Sequence, residues 1–85
     1  MVGRVVCSTA GRDKGKFLVV VGFSDEYPLV ADGKERPLKR PKLKNPKHLK
    51  KTNSILEVQQ YTTDKSLRRA LREFNKGSAL EQEED

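Results

Sequence analysis

The sequence predicts a mostly β fold, a small β-barrel with one C-terminal α-helix. Short runs rich in β-branched residues, separated by Gly and Asp, fill most of the first 60 residues. In a chain of only 85 residues, closing such strands into a barrel removes exposed sheet edges. An apolar repeat at helical spacing follows, with Leu67, Leu71 and Phe74 on one face.

Five strands are predicted in chain order. The first covers residues 2–8, and a Gly-rich loop at 9–15 connects it to the second at 16–22. The unbroken apolar run of that second strand indicates burial on both faces or a place in a barrel wall. The third covers residues 27–31. Asp32 and Gly33 are typical of a hairpin turn, which predicts a fourth strand at 34–39. The fifth is predicted at 54–58.

The domain prediction has three parts. Residues 1–60 form the barrel, residues 61–77 hold the helix, and residues 78–85 form a disordered acidic tail. Either Thr63 or Asp64 suits the N-cap of the helix, and Gly77 suits the position just after its end. Arginines 68, 69 and 72 lie on the polar helix face, where they either contact RNA or are simply solvated.

The positive charge is concentrated in one segment, the basic arm, which we define as residues 34–51. This segment holds nine Lys or Arg and one Glu, a formal charge of +8, whereas the whole chain carries +6. Its three prolines, at positions 37, 41 and 46, disfavour a helix and favour an extended arm. A row of cations along an extended arm suits the phosphates of a nucleic acid, and the alternative is a solvated lysine-rich loop.

Few residues are suited to catalysis or metal binding. Cys7 and His48 are single residues of their type, so neither a disulfide nor a metal site of recognised spacing is expected. Phosphate-binding and dinucleotide-binding fingerprints are absent from the sequence. We therefore expect no enzyme activity and no cofactor. No signal peptide or membrane-spanning run is visible, so we expect a monomeric cytoplasmic protein with no membrane partner.

The first thirty residues carry the most specific motif, GRVVCSTAGRDKGKFLVVVG, read as strand, GRDKG loop and strand. It resembles the KOW motif, with Gly11 as the loop glycine. The resemblance continues through the run LVADGKERPLKRPKLKNPKHLKKT, which is similar to archaeal and eukaryotic large-subunit ribosomal KOW proteins and covers residues 2–52. Because the chain is short and ends in acidic residues, compact stand-alone bacterial KOW proteins are the nearer resemblance.

The resemblance implies an SH3-like barrel that docks on structured ribosomal RNA, in association with the large ribosomal subunit. Residues carried over from the RNA-contacting segments lie in the loop and the basic arm. They are Gly11, Arg12, Lys14, Gly15, Arg36, Lys39, Arg40, Lys42, Lys44, Lys47, His48, Lys50 and Lys51. Independently of the resemblance, glycines allow close backbone approach, and Arg12 can bind a phosphate in bidentate fashion. Asp13 is expected to hold the turn or to pair with a cation.

Three alternatives remain open from the sequence. The GRDKG loop suits an ordinary hairpin with a charged tip as well as a binding loop. SH3-like barrels also bind peptides, so the protein could be an interaction module in a transcription or translation complex, although five aromatic residues are few for a peptide groove. In a eukaryotic protein, KRPKLK would resemble a nuclear-import signal.

Overall fold

The chain forms one antiparallel sheet of five strands followed by a helix. The computed structural model describes the backbone of residues 2–83 and the side chains of residues 2–75. The strands are β1 Arg4–Ser8, β2 Phe17–Ser24, β3 Tyr27–Ala31, β4 Lys42–Leu43 and β5 Leu49–Ile55, and the helix α1 covers Asp64–Glu83. Short 3₁₀ helices at Pro46–His48 and Val58–Tyr61 precede β5 and α1, respectively. A mostly β fold with a C-terminal helix is therefore confirmed.

The sheet is open in the described part of the chain. Its strand order is β4-β3-β2-β1-β5, which leaves β4 and β5 as its two edges. The register shifts between Arg4 and Val6 against β5, and between Val20 and Gly22 against β3. Such irregularities bend and twist a sheet. The sequence predicts full closure into a barrel, and this closure is not confirmed.

Helix α1 covers one face of the sheet. Leu67 and Leu71 are almost fully buried against Val5 and Val19, which pair across β1 and β2. These two leucines lie four residues apart, so one helical face carries both. The predicted apolar helix face is thus the face that packs on the sheet. A Phe17–Phe74 pair, with ring centroids 5.6 Å apart, extends this contact.

A second apolar cluster lies on the opposite face of the sheet. It contains Val6, Leu18, Val20 and Val30, with Leu49 of β5 packed against it. Successive residues of a strand point to opposite faces, so Val5 and Val6, and likewise Val19 and Val20, divide between the two clusters. Burial on both faces explains the unbroken apolar run of β2.

Two predicted strands are wrong. Residues 34–39 form turns rather than a fourth strand, because the Asp32 carboxylate accepts hydrogen bonds from the backbone N–H groups of Lys34 and Arg36 at 2.8 and 2.9 Å. The chain pairs with β3 only later, as β4 at Lys42–Leu43. The fifth strand lies at Leu49–Ile55, where β1 supplies a partner, and not at 54–58. The β2–β3 hairpin turns at Asp25–Glu26, between the second and third predicted strands, with a φ of 56° at Asp25.

The helix ends differ in how well the sequence predicts them. Thr63 caps the N-terminus, since its hydroxyl accepts from Ser66 N–H at 3.1 Å and Ser66 reciprocates to the Thr63 backbone. Gly77 does not end the helix, because α1 continues to Glu83. The helical backbone thus includes residues 78–83 of the predicted tail, whereas residues 84–85 lie outside the described residues. Within residues 2–83, no helix is both long and apolar enough to span a bilayer.

Candidate nucleic-acid interface

The GRDKG loop is a tight turn with exposed cations at its tip. Gly11 and Gly15 have φ angles of 79° and 87°, a region that disfavours side chains, so both positions favour glycine. Hydrogen bonds from Gly15 N–H to Ser8 O at 2.8 Å and from Lys16 N–H to Asp13 O at 2.8 Å close the turn. The Arg12 and Lys14 side chains therefore extend into solvent from a fixed backbone.

Asp13 anchors the loop to the basic arm. This carboxylate is only 2% exposed, and its Oδ2 lies 3.5 Å from Arg36 Nε and 4.0 Å from Lys44 Nζ. Lys44 Nζ also donates to the backbone oxygen of Ala10 at 3.3 Å. A buried carboxylate requires a nearby positive charge, and here two arm residues supply it. The expectation that Asp13 pairs with a cation is confirmed, and its partners lie 23 and 31 positions further along the chain.

A second contact joins the loop to the arm. Thr9 N–H donates to His48 O at 2.8 Å, and β5 then pairs with β1 from Leu49 onward. Asn45 caps the N-terminus of the short 3₁₀ helix Pro46–His48 that precedes β5, and its side-chain oxygen accepts a hydrogen bond from Lys47 N–H at 2.9 Å. Lys47 and His48 are exposed at this turn. The loop and this part of the arm thus lie next to each other, and we call this region the loop–arm junction and define it as residues 9–15 and 44–48.

The basic arm is folded rather than extended. It is tied to the helix by a hydrogen bond from Leu38 N–H to the Asp64 carboxylate at 2.8 Å, and it turns at Pro37 and Arg40. It then contributes β4, the 3₁₀ turn and the start of β5. The prolines exclude a long helix as predicted, but short backbone pairings fold the arm around the sheet.

The thirteen predicted site residues differ in accessibility. Lys44 is 8% exposed, and its ammonium lies beside Asp13 and Ala10, so the structure gives this lysine an internal role. Arg36 is partly buried, with a quarter of its side chain accessible. The other eleven residues are exposed: Gly11, Arg12, Lys14, Gly15, Lys39, Arg40, Lys42, Lys47, His48, Lys50 and Lys51.

The two last lysines of the arm point to opposite sides of the sheet. Lys50 pairs with Cys7, whereas Lys51 pairs with Val6 of the second apolar cluster. Because successive strand residues face opposite ways, one flat RNA surface cannot contact both side chains in the same manner. The sequence run Lys50-Lys51 gives no indication of this division.

One exposed ion pair flanks the loop. Lys16 Nζ donates to Glu35 Oε1 at 2.9 Å. This hydrogen bond, together with the attraction between the two charges, raises the pKa of Lys16 and lowers the pKa of Glu35. Lys16, whose charge adds to the motif in the sequence, is therefore partly neutralised by the only acid of the basic arm.

Arg68 has a role that the sequence does not indicate. Its Nη1 donates to Gly33 O at 2.7 Å, which fixes the start of the arm against the helix. This contact adds to the two roles expected from the sequence, solvation and RNA contact, because Arg68 is also exposed. The only sequence signal is the i, i+4 spacing from Asp64, which places both residues on the helix face beside the arm. Arg69 and Arg72 are exposed.

The described residues do not meet the requirements of a metal site. Among the residues that the structure describes, no three His, Cys, Asp or Glu side chains lie close enough together to hold a metal ion. No known protein-family model matches this chain.

Proposed function

We propose that the protein binds structured RNA through the loop–arm junction and the neighbouring exposed cations of the basic arm. The observation that carries this proposal is the junction itself. Contacts made by Asp13, Arg36, Lys44 and His48 join two segments that are distant in sequence. The exposed cations Arg12, Lys14 and Lys47 therefore lie on neighbouring segments that are anchored to each other. A rigid array of cations binds phosphates at a lower ordering cost than a flexible arm.

Structured RNA is the favoured nucleic acid for two reasons. Folded RNA is recognised mostly through phosphates, 2′-hydroxyls and shape, which requires fixed cations rather than many stacking rings. The chain has only five aromatic residues, and Phe17 and Phe74 are committed to each other beneath the helix. The resemblance to KOW proteins supports the same partner, with an SH3-like barrel in the cytoplasm and ribosomal RNA of the large subunit as its target.

A protein-interaction module is the second candidate. Tyr27 and Leu43 are both nearly half exposed and line one shallow depression beside the edge strand β4. Exposed apolar residues at a sheet edge suit an added peptide strand. The cations of the junction, however, would have no role in such a complex.

The test compares two triple variants of equal charge. Arg12→Ala/Lys14→Ala/Lys47→Ala removes cations from the junction, and Lys65→Ala/Arg69→Ala/Arg72→Ala removes three exposed cations from α1. Affinity for large-subunit ribosomal RNA fragments is measured at several salt concentrations. Since each lost phosphate contact reduces the log–log salt slope by about 0.7–0.9, we expect the junction variant to lose about 2–3 units of slope.

The outcomes separate the candidates. The helix variant should keep most of the wild-type slope. Equal losses in both variants would mean that RNA responds only to net charge and that the junction is no interface. A wild-type protein that does not bind RNA at low salt would refute RNA binding and leave the interaction module. Sedimentation of the native protein with the large subunit, decreasing at high salt, tests the ribosomal target separately.

A further inference from the structure

A cavity opens on the sheet face that α1 does not cover. Its volume is about 200 Å³, and its walls include Val6, Val20 and Leu49 of the second apolar cluster. Pro28 and Pro46 complete the apolar lining. Because the sheet does not close within residues 2–83, this part of its face stays accessible.

One aromatic ring borders the cavity. Phe23 lines it, is 48% exposed, and pairs across the β2–β3 ladder with Pro28 on the same face. An exposed Phe beside a proline offers a flat apolar surface. Planar groups stack on such surfaces, and nucleobases do so without regard to sequence.

Charged groups surround the same cavity. Arg4 and Lys51 line it together with the carboxylate residue Glu26. Arg4 is held in place by a hydrogen bond from its Nη1 to Thr52 O at 2.8 Å, and Lys51 is exposed. The lining thus combines an apolar interior, two cations and one acceptor-only carboxylate.

We propose that this cavity, the base pocket, receives one unpaired nucleobase of the bound RNA. The inference rests on the proposed RNA binding and adds a site to it. The base stacks on Phe23, its phosphate meets Arg4 and Lys51, and Glu26 accepts a hydrogen bond from a base N–H group. Single bases in loops and bulges are the parts of a folded RNA that leave the stack most readily.

The base pocket is continuous with the basic arm. Pro46 and Lys51 belong both to the arm and to the cavity lining, and Lys47 at the loop–arm junction follows Pro46 directly. Because the Cα atoms of chain neighbours lie about 3.8 Å apart, an RNA backbone bound at Lys47 passes close to the cavity wall at Pro46. This continuity and the two cations favour a nucleotide over an apolar peptide side chain as the occupant.

The test uses two RNA hairpins of identical charge. One carries a single bulged nucleotide, and the other carries an abasic site at the same position. Because both have the same number of phosphates, the ratio of their dissociation constants isolates the base. We expect wild-type protein to prefer the base-containing bulge by about 5-fold or more, the range of a base–aromatic stack.

Two matched pairs of variants locate the effect. Phe23→Ala should abolish the preference, whereas Tyr27→Ala, an equally exposed aromatic on the opposite face, should keep it. Lys51→Ala should weaken the bulged RNA more than Lys50→Ala, although both remove one charge from adjacent positions. Circular dichroism of each variant confirms the fold.

The outcomes distinguish failure of the base pocket from failure of the proposed RNA binding. Equal binding of the two hairpins by wild-type protein would overturn the base pocket and leave the proposed RNA binding intact. A preference that survives Phe23→Ala would also overturn it, because the base would then bind elsewhere. No binding to either hairpin at low salt would refute both RNA binding and the pocket. A preference lost only in Phe23→Ala and reduced in Lys51→Ala supports the pocket.

Discussion

Replacing Asp13 by Asn should destabilise the protein by stranding Lys44. Asp13 and Lys44 are 2% and 8% exposed, so water cannot replace the lost charge at the ammonium. Removing one partner of a buried ion pair costs about 3–5 kcal/mol. The two ion-pair distances of 3.5 and 4.0 Å are long, and Arg36 is partly accessible, so we expect the lower end, about 3 kcal/mol. In a domain of this size that corresponds to a decrease in Tm of roughly 12–24 °C.

The assay is thermal and urea unfolding followed by circular dichroism, with two further variants. Asp13→Asn/Lys44→Met removes the stranded charge as well and should recover at least half of the loss, because neither partner is then left buried and unpaired. Glu35→Gln breaks the exposed Lys16–Glu35 pair and should leave Tm unchanged within error. If Asp13→Asn unfolds at the same temperature as Glu35→Gln, the buried-anchor reasoning is refuted. If the double variant is no more stable than Asp13→Asn, the loss comes from the loop and not from Lys44.

Two other predictions follow from local geometry. Gly33→Ala should lower the free energy of unfolding by about 3 kcal/mol or more, because φ is +80° and the new Cβ would lie 2.5 Å from the backbone oxygen of Asp64. Gly15→Ala, with a similar φ but no atom within 4 Å, should lower it by about 1 kcal/mol. Both values are measured by urea titration, and equal losses would contradict the contact between Gly33 and the helix. Lys16→Ala should raise the pKa of Glu35 in an NMR titration, because the hydrogen bond that lowers this pKa is removed. The stabilisation linked to the lowered pKa is present above the ordinary Glu pKa and is lost as pH falls through the lowered value. An unchanged pKa of Glu35 would disprove the ion pair in solution.

Patterns of neighbouring residues in the sequence determined the helix face, the buried strand β2 and the glycine turn of the GRDKG loop. The helix face of Leu67 and Leu71 follows from a repeat of 3.6 residues, and the buried β2 follows from a continuous apolar run. Gly11 and Gly15 adopt positive φ in the tight GRDKG turn because glycine, which lacks a Cβ, tolerates this conformation better than other residues. Each of these features depends on residues within a few positions of one another.

Tertiary structure alone decided where the basic arm lies and what each of its charges does. Asp32 and Gly33 suit a hairpin, yet the Asp32 carboxylate closes a local turn and the strand forms at Lys42–Leu43, where β3 offers a free edge. Strand pairing depends on partners far along the chain, so short-range turn chemistry does not fix it. Lys42 and Lys44 are residues of the same type in the same segment. Of the two, Lys44 alone is buried, because Asp13, 31 positions earlier, supplies its counter-charge. The burial and ion pairing of a side chain depend on which residues lie near it in the folded structure, so the spacing of residues in the sequence does not predict them.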